Sequence, residues 1–251
     1  MKLTKGYMVA ANKISLMDAD LRFAEFKQHK NLEPNPHNLR LDVIKEIWPE
    51  AEHFDVKHIE GYSGMYKGKF LIIFRGTDSL WGWVTNFMFR KKVIPYEETG
   101  TNTDVRVHRG FIRDYLQIRD YIHDKMRGIK ETEVVVHGHS KGASIAALCA
   151  LDIKYNFPEK EVGSFVIGMP RVGNDAFKKS FEKRIPDFTR IEYGSDLIPQ
   201  LPPKWMGYAD LGHFIHVGPK RRRGIGTKKH HGWHFYYHGL VDELKDDELY
   251  S

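Results

Sequence analysis

The chain has one cysteine, Cys149, in 251 residues, so no disulfide can form within it and an apolar core must hold the fold. It has no run of eighteen consecutive apolar residues, the length that a bilayer-crossing helix requires. Nor does Met1-Lys2-Leu3-Thr4-Lys5-Gly6 lead into a sustained apolar stretch of the kind that a signal peptide carries. On that ground the expected location is cytoplasmic, or outside the cell by a route without a signal peptide. No segment repeats, and no stretch is rich enough in Gly, Ser or Pro to act as a linker. The reading is one domain over residues 1–251, long enough to bury a large core.

Charge is nearly balanced, with 39 basic against 33 acidic side chains and a formal net charge of +6. The excess sits in Lys220-Arg221-Arg222-Arg223 and Lys228-Lys229-His230-His231. Such a run is by default a solvated surface loop. The sharper reading gives Lys220–Lys229 a contact with anionic phospholipid headgroups or a phosphorylated partner. No aromatic residues interleave with it as in a nucleic-acid-binding motif, so nucleic acid is not an expected partner.

What is present is a pattern of strands and helices in alternation. Ile14, Met17, Leu21, Phe23 and Phe26 fall near helical spacing between Ala10 and His29, and Leu41 to Trp48 forms a second periodic stretch ended by Pro49. Residues 1–50 are therefore expected as a helical segment packed on the rest. His53 to Tyr62 alternates and is expected to turn at Ser63-Gly64, whereas Lys69–Phe74 is nearly continuous apolar, as in a strand buried on both faces. A helix from Phe111 to about Met126, strands at Ser164–Gly168 and Phe188–Tyr193, and a helix from Asn174 to Phe181 follow. This alternation predicts an α/β fold with a mostly parallel central sheet flanked by helices.

The chemistry concentrates at Val134-Val135-Val136-His137-Gly138-His139-Ser140-Lys141-Gly142-Ala143. A β-branched run meets Gly-x-Ser-x-Gly and becomes an Ala-rich helical pattern, the signature of a nucleophile elbow. Glycines let strand and helix approach closely, and the serine hydroxyl is left at the N-terminus of a helix, where negative charge is stabilised. A serine hydroxyl is a poor nucleophile at neutral pH, so Ser140 needs a histidine base and that histidine an orienting carboxylate. In the chain order Ser, acid, His, the acid follows a later strand end, which selects Asp196 over Asp175, Asp187 and Asp210. His230, His231, His234 and His238 are the candidate bases.

Five blocks in order between about Phe70 and Leu240 carry a resemblance. They are Phe74-Arg75-Gly76-Thr77 with Ser79 and Trp83 behind it, Val107-His108-Arg109-Gly110-Phe111, the elbow, Gly168-Met169-Pro170-Arg171-Val172-Gly173-Asn174, and Asp196 to Pro203. Together they resemble the class 3 lipases, the fungal-lipase-like family of α/β-hydrolases. The resemblance implies an α/β-hydrolase fold with a lid, sought in residues 79–96, where Trp81, Trp83 and Phe87 would meet lipid if they are not ordinary core. It implies oxyanion donors at the Thr77 and Lys141 amides, and it favours His231 as base over His234, because Trp233, Phe235 and Tyr236 follow it. Lys141 departs from the family's usual aliphatic residue; its ammonium either binds an anionic substrate group or reaches solvent.

The implied activity is serine-dependent hydrolysis of a lipid ester at a membrane or droplet surface, through an acyl-enzyme, with no metal or organic cofactor. Acylglycerol is the first substrate class. Phospholipase A1 action on anionic phospholipid is the alternative suggested by the basic run and Lys141. A catalytically silent hydrolase fold that binds an acyl ligand or a protein is the alternative from another class.

Overall fold

Two hairpins and a series of crossovers build one sheet around the apolar run at Lys69–Phe74. The computed structural model describes residues 1–28, 36–76, 91–93, 104–220, 227 and 229–243. It opens with helices α1 (Lys5–Gln28) and α2 (Pro36–Ile47), the second beginning on a proline whose missing N–H costs nothing at that position. Strands β1 (Glu52–Val56), β2 (Ile59–Tyr66) and β3 (Lys69–Phe74) then form an antiparallel meander. Its connections are two-residue turns, Lys57-His58 and Lys67-Gly68, with φ values of 50°, 70°, 49° and 77°. Mirror-image turns of this kind match the twist of the strands they join.

The expected turn at Ser63-Gly64 is absent. β2 runs straight through it, pairing Ser63 with Ile72 and Gly64 with Leu71. Glycine serves close approach there, since a Cβ on Gly64 would lie 2.1 Å from the Glu50 carbonyl oxygen.

Strands β4 (Lys91–Val93) and β5 (Arg106–His108) form a separate antiparallel ribbon. After helix α3 (Arg109–Gly128) the chain returns to the main sheet as β6 (Glu133–His139), which pairs in parallel with β3. Helix α4 (Lys141–Asn156) leads to β7 (Glu161–Ile167), and helix α5 (Asp175–Arg184) to β8 (Thr189–Tyr193). Two short 3₁₀ turns precede β9 (His213–Val217), and helix α6 (Trp233–Asp242) closes the described chain. The sheet order is β1-β2-β3-β6-β7-β8-β9, parallel from β3 onward.

Helices cover both faces. On one, α3, α4 and α5 bury Ile72, Phe74, Val134, Val136 and Val166; on the other, α1, α2 and α6 bury Tyr62, Ile73, Val135, Phe165 and Ile191. Helix α4 is buried on every side from Gly142 to Ile153, which explains its small residues: only an alanine-rich helix fits between sheet and α3. Cys149 lies fully inside it, where burial pushes its thiol well above the ordinary value and leaves it a small apolar side chain. Asp152 joins the two helices as acceptor for the Tyr115 hydroxyl at 2.6 Å, the Arg119 guanidinium at 3.1 Å and His123 at 2.6 Å.

Candidate active site

At the C-terminal end of β6 the backbone reverses direction within one residue. Ser140 has φ 58° and ψ −127°, a conformation that costs an L-residue roughly 1–3 kcal/mol and persists only where the surroundings enforce it. They do so closely here: a Cβ on Gly138 would lie 2.5 Å from the Gly142 carbonyl oxygen, and one on Gly142 would lie 2.3 Å from that of Arg75. The Ser140 amide donates to the Ile167 carbonyl at 3.0 Å, pinning the turn to β7. Its buried Oγ has no hydrogen-bond partner among the described residues.

The turn after β8 carries Asp196. Its Oδ1 accepts the Ile198 amide at 3.0 Å, while Oδ2 accepts from His231 Nδ1 at 2.6 Å and from the Tyr236 hydroxyl at 2.5 Å. Burial, then the Asp196 charge, drives the Tyr236 phenol well above its ordinary value, so it stays a donor. With Nδ1–H given to Asp196, the lone pair of His231 is on Nε2, a second buried atom without a partner among the described residues. His230 instead accepts the Ser195 amide through Nδ1 at 2.9 Å, and His234 and His238 are exposed.

His231 is pressed against the elbow from below. The ring of His139, next to Ser140, stacks on it with centroids 4.6 Å apart and donates Nε2–H to the His231 carbonyl at 2.9 Å. Burial, reinforced by the adjacent His231, pushes the His139 imidazole well below its ordinary value and keeps it neutral. A Cβ on Gly168 would lie 2.9 Å from His231 Cε1, so only glycine fits beside the ring. Sequence reasoning left His139 and Tyr236 without roles; the spacing of Tyr236 five residues past His231 was the available signal for the second.

Lys141 opens α4, and as its first residue has an amide with no acceptor inside the helix. Its ammonium, however, pairs with Asp114 of α3 at 2.7 Å. The expectation that it binds an anionic substrate group or simply reaches solvent gives way to this helix-to-helix ion pair. The remaining candidates Thr77, Trp81, Trp83 and Phe87 lie outside the described residues, as do Arg221, Arg222, Arg223 and Lys228. The described chain reaches Gly76 beside the elbow, where an added Cβ would sit 3.5 Å from Ser140 Cβ. Among the described residues, none are grouped as a metal site.

A family model described as lipase (class 3) matches residues 71–206, more than half of the chain. The chain belongs to the class 3 lipase family. A secreted mono- and diacylglycerol lipase of Malassezia globosa is 33% identical over 119 residues, 45% of this chain and 39% of that protein. A phospholipase A1-II of Oryza sativa subsp. indica is 28% identical over 222 residues, covering 73% of this chain and 54% of the relative. The chain thus spans about two fifths to half the length of these relatives. The lipase from Rhizopus microsporus var. chinensis superposes with a TM-score of 0.63 at 22% identity, over 84% of this chain and 72% of that one. A fungal lipase–inhibitor complex gives 0.64 at 18% identity, over 92% and 95%. The fold of this family member is the α/β-hydrolase fold. The expected cytoplasmic or signal-independent location does not stand, because relatives from Malassezia globosa and Malassezia restricta are named as secreted lipases. Its sole ground was the lack of an apolar stretch at the N-terminus, and that segment instead packs into the protein, with Leu3 buried and α1 starting at Lys5.

Proposed function

We propose that this chain, one α/β-hydrolase domain over residues 1–251, is a serine carboxylic-ester hydrolase that cleaves acyl esters of lipids, acylglycerols first. The observation that carries the reading is the 2.6 Å contact between His231 Nδ1 and Asp196 Oδ2, held against an elbow whose buried Ser140 Oγ has no hydrogen-bond partner among the described residues. In the proposed reaction His231 Nε2 takes the Ser140 proton as Oγ attacks the ester carbonyl, and Asp196 stabilises the imidazolium. The amides of Lys141 and Thr77 donate to the tetrahedral oxyanion. Its collapse expels the alcohol, which leaves with the proton from His231; water, deprotonated by the same imidazole, then frees the fatty acid. Trp81, Trp83 and Phe87, in the proposed lid over residues 79–96, would meet the lipid phase.

The test is turnover and covalent fluorophosphonate labelling, read by intact mass. Ser140→Ala is expected to abolish labelling and to lower turnover by about 10³-fold or more while the fold is kept. Labelling that persists in Ser140→Ala would refute the assignment, and an unlabelled wild type would favour the silent acyl- or protein-binding alternative. Phospholipase A1 action is the second reading, favoured by the 222-residue match to the rice enzyme. The ion pair of Lys141 with Asp114 removes one of its two motives; the other is contact between Lys220–Lys229 and anionic phospholipid. A panel of acylglycerols and phospholipids with the same enzyme separates the two.

A further inference from the structure

Trp205 is 84% exposed, the most exposed large apolar side chain among the described residues; Phe214, at 51%, is the other. A lone exposed aromatic is ordinary on a protein surface. What sets this one apart is the rigidity and position of the loop that holds it. The Arg171 amide donates to the Leu201 carbonyl at 2.7 Å, and its guanidinium donates to the carbonyls of Pro202 at 2.8 Å and Gln200. A 3₁₀ turn, Lys204–Met206, follows and is closed by Gly207 at φ 76°; Ala209 then donates to the Gly173 carbonyl at 2.8 Å. Asp210 receives the Arg171 guanidinium at 2.6 Å and the Lys204 ammonium at 2.7 Å.

These ties also fix where the loop stands. Arg171 and Gly173 lie in the segment that leaves the C-terminal end of β7, and the neighbouring strand ends carry Ser140 and Asp196. The loop over 203–207 is therefore at the catalytic edge of the sheet. Gly173 bridges Val107 as well as Ala209, and Asn174 holds Asp104 and Arg106 by three hydrogen bonds of 2.6 to 3.0 Å. The segment to which the loop is tied is thus itself tied to β5 and Asp104.

We infer that the loop over 203–207 docks the protein onto a lipid surface, with Trp205 as apolar anchor and Lys204 as the contact to anionic headgroups. Tryptophan suits that boundary because its ring is apolar and its N–H remains a donor at headgroup level. The charge is complementary: Arg171 and Lys204 against Asp210 leave the loop one positive charge, and Lys204 is 66% exposed. A rigid mount keeps the ordering cost of insertion low. The inference rests on the proposed lipid-ester reading and names the surface through which that site meets its substrate.

The experiment is cosedimentation with phosphatidylcholine vesicles, with and without phosphatidylglycerol, in a Ser140→Ala background so that hydrolysis cannot alter the lipid. Trp205→Ala is expected to weaken binding to both vesicle types about tenfold, with Trp205→Phe intermediate. Lys204→Gln should remove only the preference for phosphatidylglycerol, as added salt does to the parent. In the Ser140 enzyme, Trp205→Ala should lower the ratio of emulsified to soluble short-chain ester turnover by about the same factor. Vesicle binding unaltered by Trp205→Ala would overturn the inference. So would conversion of a solution dimer to a monomer by that substitution without loss of vesicle binding, since the indole would then cover a second copy. Failure of the Ser140 enzyme to hydrolyse any soluble ester would defeat the proposed function while leaving the vesicle result to stand by itself.

Discussion

Oδ2 of Asp196 is shared between His231 and Tyr236, at 2.6 and 2.5 Å, so the phenol fixes the carboxylate that fixes the imidazole. Tyr236→Phe keeps the ring's packing and deletes one hydrogen bond to a buried charge, a bond of about 1.5–3 kcal/mol. We expect kcat to fall by about tenfold, the rate equivalent of about 1.4 kcal/mol, with KM nearly unchanged. Steady-state kinetics on a soluble ester measure this; an unchanged kcat would mean that Ile198 and His231 alone hold Asp196. At this scale the sequence was informative about chemistry and poor about partners. Ser140 and Asp196 stand out by local context, because an elbow and a strand end are written in contiguous residues. Which of four nearby histidines reaches Asp196, and that Lys141 turns to Asp114, depend on contacts across 35 and 27 positions of chain.

Asn174 connects elements. Its Oδ1 accepts the Phe177 amide at 3.0 Å, capping α5, and the Arg106 amide at 3.0 Å; its Nδ2 donates to the Asp104 carbonyl at 2.6 Å. Asn174→Ala loses the cap and both ties to the β5 side, an expected cost of about 2 kcal/mol. For a chain of this size that lowers Tm by about 4–8 °C, measured by thermal unfolding. Asn174→Asp, which keeps both acceptor bonds, should lose less. Most elements were legible: the sequence anticipates β3, β6, α4 and β8, whose apolar runs or periodicities are strong. His53 to Tyr62, read as one alternating stretch, is broken by the Lys57-His58 turn between β1 and β2, and two further features were misjudged for opposite reasons. The turn at Ser63-Gly64 was misread because a glycine used for close approach to Glu50 looks like a turn residue. β9 was overlooked because His213-Phe214-Ile215-His216-Val217 is the edge strand, half exposed, and has little apolar run to announce it.

For the molecule as a whole, two histidines on the central strand couple stability to pH. His137 is fully buried, stacks on Phe165 at 4.1 Å and donates Nδ1–H to its carbonyl; burial lowers its pKa to about 4, and His139 shifts the same way. Below pH 6.5 the unfolded chain protonates these groups while the folded one does not. Stability is therefore complete above pH 6.5 and falls as pH drops toward about 4, by about 3 kcal/mol for His137 alone. Urea unfolding at pH 7 and pH 4.5 measures the loss, and His137→Gln should flatten the slope; an equal slope in the variant would refute the assignment. The sequence by itself determined the fold class, the family and the elbow serine, because strand and helix periods and the five blocks are local in the chain. The tertiary structure brought His231, which the resemblance already favoured, onto Asp196, and it alone decided that His139 and Tyr236 brace the pair and that the loop of Trp205 lies at the sheet end that carries Ser140 and Asp196. Each of these is a meeting of segments far apart in sequence, and only the packing of both helical layers on one sheet selects which of them touch.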